Sequence, residues 1–216
     1  MESAELVDYY RRRAAEYEAI FAKPERQHDL AFLCNALVSR LKDANLLEIA
    51  CGTGWWTERI ARVAARIVAT DLAEEPMRIA QAKSYPPGKV GFRLADAYAL
   101  PPDLGMFDAA FAGFWWSHIP HRRIDEFLAS LHARLDPGAR VIFLDNCYVA
   151  GSSTPVSELD ADGNTYQLRT LGDGSSVRVL KNFPSEAELR ERLAPRAAAL
   201  AVEWLEYYWL VDYRLK

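Results

Sequence analysis

The fold of this chain is decided by the stretch Leu46-Leu47-Glu48-Ile49-Ala50-Cys51-Gly52-Thr53-Gly54-Trp55-Trp56. A short apolar run is followed by two glycines two residues apart, and then by residues with helical periodicity. This order predicts a strand, a tight glycine turn and the first turn of a helix. Backbone N–H groups are exposed at such turns and at helix N-termini, so a polar or anionic ligand is held there at close range. The stretch therefore predicts a site for a nucleotide-like molecule.

The composition is that of an ordinary globular protein. Of the 216 residues, 50% are hydrophobic and 26% are charged, and the formal net charge is -4. The basic residues are scattered along the chain, which disfavours a nucleic-acid partner. Three well-separated cysteines form no CxxC pair, and no apolar run approaches the roughly 20 residues of a membrane-spanning helix. We therefore expect a reduced, cytoplasmic protein with no membrane partner and no metal site.

Strands and helices alternate through the first two thirds of the chain. Short apolar runs predict strands, and longer amphipathic runs bounded by Pro or Gly predict helices. The predicted strands are residues 46–50, 66–70, 90–94, 107–112 and 139–145, and the predicted helices are 5–21, 27–41, 55–64, 75–84 and 121–135. Apolar strands that alternate with amphipathic helices form parallel sheets with both faces covered.

The last third of the chain has a different pattern. Two apolar runs on either side of Gly172-Asp173-Gly174-Ser175 predict a β-hairpin over 164–181. Ser185-Glu186-Ala187-Glu188 has the spacing of a capping box and predicts a helix that Pro195 terminates. A final run, 202–215, is rich in Trp, Tyr, Val and Leu and predicts one or two antiparallel edge strands.

These patterns together predict an α/β fold. We expect a doubly wound, Rossmann-like sheet of seven strands that is mostly parallel and has an antiparallel edge. N-terminal cap helices precede the sheet, and the β-hairpin is inserted into it. We expect a single domain over 1–216, divided into cap helices (1–42), a cofactor-binding core (43–146) and a region of hairpin, helix and antiparallel edge strands (147–216).

The glycine turn differs from that of a dinucleotide site. The third glycine of such a site, which permits close packing of helix on strand, is replaced by Thr57. The bulky Trp55 and Trp56 leave little room for a pyrophosphate, and Glu48 suits a cationic group of a ligand better than phosphates. A nicotinamide-dependent oxidoreductase is therefore the alternative interpretation rather than the first one.

Acidic residues stand at the ends of three successive predicted strands. Glu48 precedes the turn, and Asp71 follows Gly52 by 19 residues, where a carboxylate can accept hydrogen bonds from both hydroxyls of a ribose. Asp96-Ala97 ends the third strand, where an acid can accept from an adenine amine. Since open α/β sheets bind ligands outside the carboxyl ends of their strands, these acids are expected to surround one site.

In these motifs the chain resembles the class I S-adenosylmethionine (SAM)-dependent methyltransferases. The resemblance covers roughly residues 5–146. Within the family, the chain is most similar in type to the small-molecule members near the ubiquinone and menaquinone methyltransferases. Its motifs are Glu48-Ile-Ala-Cys-Gly52-Thr-Gly54, Asp71, Asp96-Ala97, Phe107-Asp108, Leu135-Asp136-Pro137-Gly138 and the cap-helix run Tyr9-Tyr10-Arg11-Arg12-Arg13-Ala14-Ala15-Glu16-Tyr17. One departure is Ala50, which stands where the family has its first glycine.

The resemblance implies SAM as the cofactor and assigns residues to each part of it. The turn from Ala50 through Gly52 to Gly54 would approach the methionine part, Glu48 would help to place its amino group, and Asp71 would bind the ribose. The other implied contacts are Leu72 and Met77 beside the adenine, Asp96 and Ala97 at its edge, the backbone from Ala112 to Phe114 beneath the sulfonium, and Tyr10 and Tyr17 on the cap helix over the cofactor.

The methyl acceptor is expected beside Phe114-Trp115-Trp116-Ser117-His118, the aromatic run that follows the fourth sheet strand. Two adjacent Trp side chains at a strand end cannot both enter one core, so one of them, assigned to Trp115, is predicted to line the acceptor pocket. His118 has two interpretations. It is either a general base for an acceptor that must lose a proton, or a residue that orients the loop before Pro120.

The sequence therefore predicts a SAM-dependent methyltransferase that acts by SN2 displacement on a small, aromatic or amine-bearing molecule, as a monomer or homodimer. A catalytically inactive cofactor-binding scaffold is a further alternative, because the strand-end acids indicate cofactor binding with or without turnover. The residues do not indicate whether N, O, S or C receives the methyl group.

Overall fold

The computed structural model describes residues 2–216, with side chains from Leu6 onward. Its helices are α1 (Glu2–Arg13), α2 (Gln27–Arg40), α3 (Trp55–Ile60), α4 (Glu74–Gln81), α5 (Ile124–His132) and α6 (Glu186–Leu193). Short 3₁₀ helices cover Ala14–Ala22, Pro24–Arg26, Pro102–Leu104, Trp116–His118 and His121–Arg123. Among these described helices, none has both the length and the apolar character that crossing a membrane requires.

The strands form two sheets. They are β1 (Asn45–Ile49), β2 (Arg66–Asp71), β3 (Val90–Leu94), β4 (Phe107–Gly113), β5 (Leu135–Asn146), β6 (Glu158–Leu159), β7 (Thr165–Thr170), β8 (Ser176–Leu180), β9 (Ala197–Trp204) and β10 (Tyr208–Leu215). The large sheet has the order β3-β2-β1-β4-β5-β10-β9, in which β1 to β5 are parallel and β10 is antiparallel to both neighbours. A separate antiparallel sheet has the order β6-β7-β8. This is the predicted doubly wound, mostly parallel sheet of seven strands with an antiparallel edge.

The central strand β1 shows why the large sheet is covered on both faces. Leu46, Leu47 and Ile49 are at most 1% exposed. Successive side chains of a strand point to opposite faces, so Leu47 packs in the same apolar layer as Leu128 of α5, and Leu46 in the same layer as Leu37 of α2. Continuous apolar runs of this kind are typical of parallel strands between two helical layers.

The N-terminal cap differs from the single helix predicted over 5–21. The α-helix ends at Arg13, and a 3₁₀ helix continues over Ala14–Ala22. Apolar residues at mixed spacings of three and four fit 3.0 as well as 3.6 residues per turn, so their periodicity does not separate the two helix types.

Several other bounds also differ from the sequence prediction. β5 begins at Leu135 rather than at residue 139; its pairing with β4 is irregular near this end, and Gly138 within it has a positive φ of 79°. The α-helical part of 121–135 begins only at Ile124, after a 3₁₀ turn. The hairpin gains a third strand, β6. The C-terminal run forms two antiparallel strands, β9 and β10, in agreement with the prediction of one or two, but β9 begins at Ala197 rather than at residue 202.

The capping box at the start of α6 is present as predicted. The Ser185 hydroxyl accepts a hydrogen bond from the Glu188 backbone N–H at 3.3 Å, and the Glu188 carboxylate accepts from the Ser185 N–H at 2.7 Å. Each bond satisfies a backbone donor that the helix itself leaves without a partner.

Ser185→Ala is expected to lower the free energy of unfolding by about 1 kcal/mol, because the Glu188 N–H loses its acceptor. In a chain of this size that corresponds to a fall in Tm of about 2–4 °C. Thermal denaturation followed by circular dichroism measures the change. Ser84→Ala serves as the control, since Ser84 is exposed and outside every helix and strand; an equal Tm for the two variants would contradict the prediction.

Candidate active site

A large pocket opens at the carboxyl ends of β1, β2 and β4 and encloses about 1320 Å³, counted with its open mouth. The turn after β1 forms one wall, α1 contributes a second, and β7 and β8 contribute a third. The residues predicted from sequence that line it are Tyr10, Tyr17, Ala50, Gly52, Asp71, Leu72, Asp96, Ala97, Phe114, Trp115 and His118. The parallel sheet thus gathers side chains that are far apart in the sequence.

Three predicted cofactor contacts have side chains outside the pocket lining. Met77 and Ala112 are buried in the apolar core, because α4 and β4 direct these side chains into the helical layers. Glu48 is 1% exposed, and its Oε2 has no hydrogen-bond partner among the described residues. Burial raises the pKa of Glu48 to about 8, and the side chain does not line the pocket.

The two glycines of the turn have different roles. Both have a positive φ, 54° at Gly52 and 76° at Gly54. A Cβ on Gly52 would meet no heavy atom within 4 Å, and Gly52 lines the pocket. A Cβ on Gly54 would lie 2.7 Å from Tyr85 Oη and 2.8 Å from Ala80 Cβ. Gly54 is therefore required for packing of the turn against α4, and it is not among the residues that line the pocket. Its contact with the methionine part of the cofactor stays a prediction.

Two residues that are not glycine also have a positive φ in the pocket wall. Ala50 has a φ of 53° and Phe114 a φ of 60°. The left-handed conformation costs about 1–2 kcal/mol for a residue with a Cβ. Ala50 stands at the position of the family's first glycine. It therefore has a left-handed backbone conformation that glycine would adopt without strain.

The carboxylates of Asp71 and Asp96 hold the backbone at two strand ends. Asp71 accepts hydrogen bonds at 2.8 Å from the N–H groups of Gly52 and Ala73, and so connects the end of β2 to the glycine turn. Burial raises the pKa of Asp71 and these N–H donors oppose the change. Asp96 accepts from the Tyr98 N–H at 2.9 Å. Both acids also border the pocket, as the strand-end spacing predicts.

His118 is buried in the pocket wall, and both of its ring nitrogens are engaged. Nδ1 lies 2.7 Å from the Leu180 carbonyl oxygen, so Nδ1 carries the proton and donates it. Nε2 lies 2.7 Å from Tyr10 Oη and accepts from that hydroxyl. Burial, followed by the positive charge of Lys181, holds the pKa of His118 well below its usual value, and burial raises the pKa of Tyr10. His118 is thus a neutral base and Tyr10 its hydrogen-bond donor.

The two adjacent tryptophans point in different directions. Trp115 lines the pocket, 5.9 Å from the Tyr98 ring centre. Trp116 is 4% exposed and packs 5.3 Å from Phe143 and 6.3 Å from Trp209. The 3₁₀ helix that begins at Trp116 separates the two indoles, so one belongs to the pocket and the other to the core.

Two arginines that sequence reasoning missed line the pocket. Arg123 lies 3.4 Å above the Tyr98 ring and is paired with Glu126 at 2.7 Å. Arg178 lies 3.3 Å above the Tyr166 ring and pairs with the half-exposed carboxylate of Glu158 at 2.7 Å. In the sequence, Arg123 with Glu126 reads as a surface helical pair and Arg178 as an exposed strand residue. Only the three-dimensional fold places their guanidinium groups at the pocket.

A third arginine, Arg169, lies beneath α1 without a carboxylate partner among the described residues. Its guanidinium donates to Gln167 Oε1 at 2.7 Å and to Tyr9 Oη at 3.3 Å, both uncharged acceptors. Its positive charge acts on Tyr10 and lowers the pKa of that phenol against the effect of burial. Arg169 does not line the pocket itself, but its positive charge acts on Tyr10, which does.

Comparisons with known proteins agree with this geometry. Residues 46–138 match a family model described as a methyltransferase domain. The chain is similar to DhpI, which has been solved as a complex with SAH and as a complex with SAM and HEP. The identity is 31% in both cases, the match covers 98% of this chain and 96% of DhpI, and the TM-scores are 0.77 and 0.78.

Curated relatives show a similar relationship over part of their length. The chain is 29% identical to the demethylmenaquinone methyltransferase of Clavibacter sepedonicus over 72% of this chain. It is 32% identical to the ubiquinone biosynthesis O-methyltransferase of Xanthomonas axonopodis pv. citri (strain 306) over 74% of this chain. The chain spans 60% and 64% of the length of these two relatives.

A Rossmann-like sheet with a glycine turn and acids at successive strand ends defines a class of proteins that bind nucleoside cofactors. Within that class, this chain belongs to the class I SAM-dependent methyltransferases. The cofactor of the family is SAM, and the nicotinamide alternative is set aside.

Gly52→Ala and Gly54→Ala are expected to separate ligand binding from packing. Gly52→Ala adds a methyl group in the pocket and strain of about 1–2 kcal/mol, so the protein folds but binds S-adenosylhomocysteine about tenfold more weakly, a loss of about 1.4 kcal/mol. Gly54→Ala adds overlap with Ala80, and we expect a loss of stability of about 2–4 kcal/mol. Calorimetric titration and thermal denaturation measure the two effects. Unchanged affinity in Gly52→Ala would show that the ligand does not approach this turn.

Proposed function

We propose that this methyltransferase methylates the oxygen of a small, negatively charged molecule that carries a hydroxyl group. The observation that supports this most strongly is the presence of charged side chains of both signs around one pocket. Asp71 and Asp96 border it at the strand ends, Arg123 and Arg178 also line it, and the charge of Arg169 acts on the pocket residue Tyr10. A ligand with a cationic centre suits the acids, and an anionic acceptor suits the arginines.

In the proposed arrangement the strand-end acids hold the cofactor. Gly52 fits this assignment, because it lacks a side chain where the turn borders open space. Asp71 would bind the ribose, and Asp96 and Ala97 the edge of the adenine, with Leu72 beside it. Bound SAM supplies an electrophilic methyl group on a sulfonium. Tyr17 and Phe114 border the same space and would exclude water from it.

The arginines would orient the acceptor. Arg123 and Arg178 line the pocket, while the partner carboxylates, Glu126 and Glu158, do not line it and are half-exposed to solvent. Each ion pair therefore presents its positive side to the pocket. Arg169 adds an unneutralised charge beneath α1. A carboxylate or phosphate group on the acceptor would be attracted by all three guanidinium groups.

Tyr10 and His118 would remove the proton of the acceptor hydroxyl. Because the Tyr10 hydroxyl donates to His118 Nε2, its oxygen is left to accept a hydrogen bond from the acceptor. The acceptor proton passes to Tyr10 as the Tyr10 proton passes to His118. Methyl transfer from bound SAM to the acceptor oxygen would then leave a methyl ether, S-adenosylhomocysteine and one proton held by His118.

The expectation of an aromatic or amine-bearing acceptor is refined in this proposal. Trp115, Tyr98 and Tyr166 give the pocket flat apolar walls, which suit an aromatic acceptor. A protonated amine is disfavoured by the three arginines. An oxygen acceptor is in line with the relative from Xanthomonas, which is described as an O-methyltransferase. As the sequence predicts, we propose a cytoplasmic enzyme whose partner is a small molecule.

A methyl-transfer assay against matched acceptors tests the proposed substrate class. Hydroxyl compounds with a carboxylate or phosphate are compared with their neutral and amine analogues, and each product is detected by mass spectrometry. We expect the anionic members to be preferred, and Arg169→Gln to raise KM for them by about tenfold, or 1.4 kcal/mol. Arg93→Gln is the control, because Arg93 pairs with Asp103 away from the pocket. Preference for amines or neutral compounds would refute the proposed acceptor.

His118→Asn is expected to lower kcat by about 10²–10⁴-fold, the usual contribution of a general base. Tyr10→Phe keeps the ring and removes the relay hydroxyl, so we expect a loss in the lower part of that range. Binding of S-adenosylhomocysteine, measured by calorimetry, should stay within threefold of the native value. Native turnover in His118→Asn would leave His118 with only the structural interpretation.

A further inference from the structure

A buried ion pair lies directly behind the His118 wall of the pocket. The Lys181 ammonium is 2.9 Å from Asp145 Oδ1 and 2.6 Å from Ser117 Oγ, and the Ser117 N–H donates to Asp145 Oδ2 at 2.9 Å. The Lys181 and Asp145 side chains are 5% and 0% exposed, and neither residue lines the pocket. Any influence of this pair on the reaction is therefore exerted through its neighbours.

Its neighbours are the two pieces of backbone that hold the imidazole. Ser117 precedes His118, and Lys181 follows Leu180, whose carbonyl accepts the Nδ1 proton. A backbone hydrogen bond of 2.8 Å from Asn182 to the Ser117 carbonyl joins the same two segments. One ammonium thus anchors both the segment that carries His118 and the segment that sets its tautomer.

We propose that Lys181 is a positioning residue that keeps His118 neutral, with its Nε2 lone pair directed at Tyr10; this rests on the proposed role of His118 as proton acceptor. Four charged or titratable groups face His118: Tyr10 from α1, Asp145 from β5, Arg169 from β7 and Lys181 after β8. Burial is the first cause of the low pKa of His118, and the Lys181 charge is the second. Asp145 acts in the opposite direction.

An effect of the Lys181 charge on His118 can be distinguished by experiment from an effect of Lys181 on the stability of the fold. Buried ion pairs are weak evidence for stability, because desolvation offsets much of the attraction between the two groups. Removal of the Lys181 charge leaves Asp145 unneutralised near His118, and the pKa of His118 rises. Removal of both charges cancels that effect. A purely structural role would instead make the double variant behave like, or worse than, the single one.

The test uses the full chain with Lys181→Met, with Lys181→Met combined with Asp145→Asn, and with Lys89→Met as the control. Lys89 donates to the Ala64 carbonyl away from the pocket. The Cε1–H NMR signal of His118, assigned by its loss in His118→Asn, is followed from pH 5.5 to pH 9. We expect no titration in the native chain and the control, and titration near the ordinary value of about 6.5 in Lys181→Met.

The same variants are assayed for methyl transfer. A base that titrates near 6.5 is only about one-tenth neutral at pH 5.5, so Lys181→Met should be about tenfold slower there than at pH 8. In the native chain, protonation of His118 should cause no loss of activity between pH 8 and pH 5.5. In the double variant we expect the His118 titration to disappear from the range again.

Three results would overturn the proposal: an unchanged His118 in folded Lys181→Met, persistent titration in the double variant, or titration in the Lys89→Met control. If Lys181→Met does not fold, Lys181→Gln, which keeps a hydrogen-bond donor for Ser117, is expected to show the same titration, and its absence there would be equally decisive. The NMR measurement does not depend on turnover. Failure of the native chain to methylate any acceptor would therefore overturn the proposed function and leave this test intact.

Discussion

The hydrogen bond between His118 Nδ1 and the Leu180 carbonyl is the contact on which the pocket depends. It joins the 3₁₀ helix after β4 to the end of β8, and so holds the small antiparallel sheet against the carboxyl edge of the large one. It also leaves Nε2 as the acceptor that Tyr10 needs, which secures α1 over the pocket. The two ring nitrogens of one imidazole thus link three segments that are far apart in the chain.

The half of the pocket at the strand ends was predictable from sequence because its geometry follows from backbone rules. The apolar run of β1 can only be buried between two helical layers, and parallel strands must present their carboxyl ends at one edge. Asp71 and Asp96 border the pocket for that reason. The seven-stranded sheet and the capping box at Ser185 follow from equally local signals.

The other half was less predictable because it depends on contacts between distant segments. Lys181 and Arg169 lie in a hairpin whose sequence shows turn and strand signals only, and nothing local indicates that their charges are close to His118. The roles of individual residues within a correct motif were also beyond pattern reasoning. Glu48 and Gly54 occupy the expected positions, but side-chain direction and the approach of α4 decide what each one contacts.

Ala50 and Phe114 both keep a left-handed backbone where glycine would be unstrained, and both border the pocket. Such strain persists only where the surrounding structure over-determines the conformation. The cost of this strain is therefore met when the chain folds, and the pocket wall does not have to reorganise when a ligand binds. For protein engineering this means that a glycine in place of Ala50 would relieve the strain and stabilise the fold. The same change would make the backbone of the pocket wall less pre-organised for its ligands.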